Sequence, residues 1–207
     1  EMGDYPRGNP ASVEAGSLVR GESSDASVKK PWDGQPGGQI KLLKDTDQDG
    51  EYDQATVFLD GLSFPNGAFP WRDGLLVSAA PDIFFARDLD GDGKCDERTV
   101  LYSGFAEANP QHRVNGFEWG LDGWLYVAAG NHENGKVTSL KTGQTIETSG
   151  RDLRIQPETG AMETVSGPSQ WCRCRDDAGN WFGNDNIRPL YQFVIEERFL
   201  RRNPYVS

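Results

Sequence analysis

The sequence has no cluster of positive charge: its 21 Lys and Arg residues face 32 Asp and Glu, the net charge is −11, and no basic run exceeds two residues. Binding a nucleic-acid backbone draws on a concentrated basic face, so the composition speaks against that class of partner. No apolar stretch approaches the roughly 18 residues of a membrane span, and no basic start followed by an apolar run marks a secretory leader. Any export signal or anchor is expected outside this segment. Cysteine is scarce, with only Cys95, Cys172 and Cys174. Three are too few for a disulfide framework, and the Cys-Arg-Cys spacing matches neither a haem attachment motif nor a standard zinc pair, so a structural role is expected. The chain runs from Glu1 to Ser207, where it stops among polar and aromatic residues, and reads as a segment of a longer protein. Its length suits one ordinary domain or two small ones.

What is present falls into two textures. Residues 3–38 are rich in Gly, Ser, Pro and charge without an apolar period, and read as a long polar loop or insert. From Gln39 onward, short apolar runs are cut by Gly, Asp, Asn and Pro about every eight to twelve residues, the spacing of all-β structure.

An internal repeat refines that reading. Asp45-Thr46-Asp47-Gln48-Asp49-Gly50-Glu51-Tyr52-Asp53 recurs 43 residues later as Asp88-Leu89-Asp90-Gly91-Asp92-Gly93-Lys94-Cys95-Asp96. Thr56–Leu62 and Thr99–Phe105 match at the same offset. Beyond them, Asn66-Gly67 and the run from Asp73 to Ala80 match Asn115-Gly116 and the run from Asp122 to Ala129, now 49 residues apart. Six residues have therefore entered the later copy between Phe105 and Asn115. A degenerate third copy follows, with a hairpin over Asp152–Val165 whose turn is Pro157-Glu158-Thr159-Gly160, and then a turn and strand over Asp177–Phe182. A period of about 45 residues with about four short strands per unit predicts a β-propeller. Closed propellers have about four to eight blades, so residues 1–207 would supply a partial domain of about three to four. A β-sandwich is the competing architecture, although it does not call for a fixed period.

Calcium takes six to eight hard oxygens, and alternating Asp residues on a tight turn aim three carboxylates at one point. Asp45, Asp47 and Asp49 do so in the first loop, and Asp88, Asp90 and Asp92 in the second. Gly50 and Gly93 allow the turn that brings in the carbonyls of Glu51 and Lys94, and Asp53 and Asp96 would close the shells. Thr56 and Thr99 stand where an EF-hand carries its bidentate Glu, so these are not EF-hands. The same residues also build Asx-turns between strands without metal.

The insertion, Ala106 to Val114, contains His112, one of two histidines. A histidine on a polar loop is either a hydrogen-bonded surface group or a base whose pKa lies near working pH. His112 and the following stretch from Gly116-Phe117-Glu118-Trp119-Gly120-Leu121-Asp122-Gly123 to Gly130-Asn131 resemble the histidine and Gly-x-Asp-Gly-x-Leu-Tyr turn of soluble quinoprotein glucose and sorbosone dehydrogenases. Those are six-bladed propellers using pyrroloquinoline quinone (PQQ) and calcium. Over nearly the whole chain, Tyr5-Pro6-Arg7-Gly8, Gly38 to Asp45, Gln111 to Gly116 and Asn180-Trp181-Phe182-Gly183 are similar to a bacterial membrane-bound dehydrogenase domain family related to them.

That resemblance implies a quinone-dependent dehydrogenase of a sugar or alcohol, with His112 as general base and Arg113, Arg151 and Arg175 as candidate partners for the quinone carboxylates. It also implies an electron-accepting haem domain elsewhere in the protein and a periplasmic or other extracytoplasmic location, with membrane association through regions outside this segment. The chain carries Asn131 where those enzymes usually place Asp. The alternative is a non-catalytic, calcium-stabilised propeller that binds a glycan or protein, with Trp71, Trp119, Trp124, Trp171 and Trp181 either stacking on sugar rings or filling the core. An Arg-lined depth beside His112 would favour the first function, and an aromatic groove without cations the second.

Overall fold

A computed structural model describes residues 36–130, 135–148 and 150–203. The polar segment 3–38 lies outside the described residues except for its last three, as do Asn131 and His132. The described chain is all-β, built from antiparallel sheets, none of them closed. The first sheet pairs β1 (Gly38–Lys44) with β2 (Gln54–Leu62). The second runs β3 (Gly67–Trp71), β4 (Gly74–Ala79), β5 (Asp82–Arg87) and β6 (Glu97–Ser103) as a meander. The third pairs β7 (Asn115–Trp119), β8 (Leu125–Ala128), β11 (Asp152–Gln156) and β12 (Ala161–Val165). A last sheet joins β13 (Arg173–Arg175), β14 (Trp181–Gly183) and β15 (Tyr191–Phe193), before a short helix α1 (Glu197–Leu200).

The repeat maps onto these strands. The two aspartate loops connect β1 to β2 and β5 to β6, and the plain turn at Pro157–Gly160 connects β11 to β12 in the equivalent place. Between β8 and β11 the sequence reading missed a hairpin, β9 (Lys136–Ser139) and β10 (Thr145–Glu147). It leaves its own sheet and extends the second one, with β9 pairing to β6 through Tyr102↔Ser139 and Ser103↔Thr138. Only Val137 and Ile146 give it apolar content, too little for a period to stand out in sequence.

Strand alternation explains how the sheets stack. On β4 and β5, Leu76 and Ile83 face one core together with Tyr102, Leu125, Val127, Leu153, Ile155 and Met162, while Val77 and Phe84 face another with Leu62, Ala79 and Ala86. The second sheet is thus buried on both faces, between the first and the third. Each fully buried Leu or Ile side chain contributes about 1.5–3 kcal/mol. The third and fourth sheets meet where the Tyr126 and Trp181 rings stack at 4.0 Å and Arg175 Nε donates to the Trp119 carbonyl at 2.7 Å.

The connections 63–66, 104–114 and 166–172 each carry the chain from one sheet to the next, and two glycines let them pack. Gly116 has φ +64 and a Cβ there would lie 2.4 Å from Cys172 Cα; Gly130 has φ +87 and a Cβ would lie 1.8 Å from the His112 carbonyl oxygen. Gly116→Ala and Gly130→Ala are each expected to cost about 2 kcal/mol or more in urea unfolding. Gly143→Ala, left-handed at φ +73 but in open space, should cost only about 1 kcal/mol.

Candidate functional site

The inter-sheet loops converge on a groove of about 460 Å³ lined by Pro65, Asn66, Pro110, Gln111, Asn115, Gly116, Trp171 and Cys172. Asparagine side chains tie the loops to one another. Asn66 Nδ2 donates across to the Pro110 carbonyl at 3.3 Å. Asn115, the repeat equivalent of Asn66, uses both ends of its amide: Nδ2 donates to the Gln170 carbonyl at 2.8 Å and Oδ1 accepts from Cys172 N at 2.8 Å. Asn66 Oδ1 is buried and has no such partner. The inserted residues account for that difference, because Gln111 N is turned inward to Asn109 Oδ1 at 3.0 Å, capping a 3-10 turn over Pro110–His112.

His112 is half-buried at the end of that turn, directly after Pro110 and Gln111 of the groove wall. Arg113 is buried and anchors the loop: its guanidinium lies 4.5 Å over the Phe64 ring and donates to the Glu107 carbonyl from Nε at 3.2 Å and from a terminal nitrogen at 2.6 Å. Arg151 pairs with the buried Glu197 at 3.0 Å, and Arg175 is held on Trp119. The structure therefore does not gather the three candidate arginines at one place, and among the described residues no Lys or Arg lines the groove. That lining does not fit a ligand with three carboxylates.

Of the five tryptophans among the described residues, four are packed: Trp71 against Phe85 at 4.8 Å, Trp119 against Phe69 at 6.5 Å, Trp124 under Arg154 at 4.7 Å and Trp181 against Tyr126. Trp171 is different, being 43% exposed on the groove wall. Its position depends on a buried ion pair that the sequence did not single out. Asp152, fully buried on β11, accepts from Ala129 N at 3.1 Å, Ser169 N at 2.9 Å, Ser169 Oγ at 2.7 Å and Arg173 at 2.9 Å.

The two aspartate loops lie apart from the groove, at the β1–β2 and β5–β6 hairpin ends, and fold by the same bonds. Asp45 accepts from Gln48 N and Gly50 N at 2.7 and 2.9 Å, and Asp88 accepts from Gly91 N and Gly93 N at 2.6 and 2.8 Å. Asp47 and Asp90 accept from the Asp49 and Asp92 amides, Asp49 and Asp92 from those of Glu51 and Lys94, and Asp53 and Asp96 from those of Thr46 and Leu89. Carboxylate oxygens within 4.8 Å of one another come from Asp45, Asp47 and Asp49 in one loop and from Asp88, Asp90 and Asp96 in the other. In the second loop Lys94 Nζ sits 3.1 Å from Asp92. Each loop thus brings three of its four predicted aspartates together. These bonds also set acidity: the Thr46 hydroxyl draws the Asp53 pKa down, and the Gly93 and Gly91 amides draw Asp88 down.

The strongest such effect is at Asp185, where the Arg188 side chain and the Arg188 and Ile187 amides lower the pKa from 3.8 to about 2. A depressed carboxylate stabilises the fold above its unfolded pKa and ceases to do so as pH falls through its folded value. Stability from Asp185 is therefore expected to be lost between about pH 4 and pH 2, and Asp185→Asn should flatten that part of an acid-unfolding profile.

A search of curated proteins and a search of solved structures each found no match to the chain. A family model described as a domain of unknown function, DUF7133, matches residues 1–207, and the chain belongs to that family.

Proposed function

We propose that the chain is part of a calcium-stabilised β-propeller whose inter-sheet groove binds a neutral polyhydroxyl ligand, a sugar or a sugar-like alcohol. The observation that carries this is Asn66 Oδ1, a buried acceptor with no partner on the wall of a groove that also presents the exposed Trp171. A buried acceptor left unpaired costs about 1–3 kcal/mol; Asn66 Oδ1 has almost no accessible surface, so a ligand hydroxyl would relieve that cost by a small shift of the groove wall that uncovers it. An indole face stacks on the C–H face of a sugar ring, and Gln111 and Asn115 add amide groups without net charge. The propeller part is supported by the repeat, by sheets that stack in chain order, and by β1–β2 occupying the place of the two outer strands of a four-stranded blade; six blades are the number the resemblance implies.

A second reading is that the bound sugar or alcohol is oxidised with PQQ, His112 serving as base and a haem domain of the full protein, outside the cytoplasm, accepting electrons. His112 follows two groove residues in the chain without itself lining the groove, so this reading rests on the resemblance. It requires cations for the quinone from outside the described lining.

The readings separate in one series. Calorimetric titration of the chain with neutral mono- and disaccharides should give binding that Trp171→Ala and Asn66→Ala each weaken about tenfold, the equivalent of about 1.4 kcal/mol. No binding to any sugar, or binding indifferent to both substitutions, would contradict the groove. Dye reduction by the full protein with PQQ and calcium, lost in His112→Ala, would establish the second reading.

For the aspartate loops, saturating calcium is expected to raise the melting temperature by roughly 5 °C or more, and Asp47→Ala with Asp90→Ala should remove most of that rise. An unchanged calcium response in the double variant would contradict the clamp.

A further inference from the structure

A second cavity, of about 120 Å³, lies between the third sheet, the fourth sheet and α1. Its lining includes Tyr126 on β8, Trp181 on β14 and Phe193 on β15. Two charged side chains in the lining are almost fully buried, Arg173 at 3% and Glu197 at 5% exposed. The cavity shares no lining residue with the groove at Trp171, so the two are separate places on the molecule.

The charges of the lining are already matched. Arg173 pairs with Asp152 at 2.9 Å, Arg154 with Glu163 at 2.7 Å and Arg198 with Glu196 at 2.9 Å, while Glu197 Oε1 holds both Arg151 and Arg201 at 3.0 Å. An ionic ligand would therefore have to compete with a pair that is already formed. What is left over is one donor and one acceptor. Arg173 Nε and Glu197 Oε2 are both buried, and among the described residues neither has a hydrogen-bond partner. Native structures leave few such atoms, and each calls for an explanation.

We propose that this cavity binds a small neutral carboxamide, whose carbonyl oxygen accepts from Arg173 Nε and whose N–H donates to Glu197 Oε2. An arginine nitrogen only donates and a carboxylate oxygen only accepts, so the ligand must offer one group of each kind. A carboxamide carries the two on separate atoms of one plane and has no net charge. Pockets for drug-sized ligands run to about 300–1,000 Å³, so the amide enters here with little behind it beyond a ring or short chain against Trp181 and Phe193. Both polar atoms have almost no accessible surface, so entry displaces the Arg201 side chain, which is 57% exposed and reaches from Glu197 to the Thr164 hydroxyl, both in the lining. Arg151 then remains on Glu197 Oε1.

The test is a titration of the full chain with benzamide, followed by calorimetry and nuclear magnetic resonance. Benzamide should bind with a dissociation constant below about 1 mM and give nuclear Overhauser contacts from its ring protons to Trp181 and Phe193. Benzoate, which has only acceptors, benzylamine, which has only donors, and benzyl alcohol, which offers both from one oxygen, should each bind at least about tenfold more weakly. Glu197→Gln puts an amide nitrogen where the unpaired oxygen stood and should weaken benzamide about tenfold, with circular dichroism checking that the variant folds. If it does not fold, the Overhauser contacts and the ligand series in the unaltered chain still decide. The proposal is overturned by the absence of benzamide binding, which leaves a cavity for water alone, or by contacts to residues elsewhere. Benzoate or benzyl alcohol matching benzamide, or full affinity in a folded Glu197→Gln, would overturn it equally.

Discussion

The carboxylate of Asp152 is the point on which the third and fourth sheets and the groove between the loops depend. It is fully buried, and a buried charge is tolerated only when its lone pairs are matched. Four donors match them, one from the end of β8 at Ala129, two from Ser169 and one from Arg173. The guanidinium opposite is in turn enclosed by three aromatic rings, with Phe193 at 4.1 Å. One ion pair thereby fixes the connection 166–172, and that connection presents Trp171 and Cys172.

The asparagine clamps transmit the order from loop to loop. Asn115 saturates its amide on the following connection, whereas Asn66 reaches only a carbonyl and leaves a buried acceptor unpaired behind the groove wall. The same Asn-Gly pair, repeated, thus closes one junction and opens the other. The physical cause is the insertion before Asn115, which folds its amides inward on Asn109 instead of offering one to Asn66.

The aspartate loops and their strands were legible because a repeat multiplies weak local signals: each loop fell on a hairpin, and the inserted segment fell on the groove wall. The β9–β10 hairpin was not legible, since two apolar residues carry its period and it joins β6 in the second sheet while its chain neighbours β8 and β11 lie in the third. The Asp152–Arg173 pair was hidden for a similar reason. Asp152 reads as the polar start of a strand, and nothing local announces that a residue 21 positions later completes it. Arg113, singled out by charge and position, is held by the Glu107 carbonyl of its own loop and by the Phe64 ring of the 63–66 connection, which no local signal announces.

The central claim, that one buried ion pair holds the loop junction, is tested most directly by urea unfolding of Asp152→Ala, Arg173→Met and the double variant. Each single substitution should cost about 3 kcal/mol or more by leaving an unmatched buried charge, and the double variant should be no less stable than either. Single losses that simply add in the double variant, within about 0.5 kcal/mol, would contradict the account.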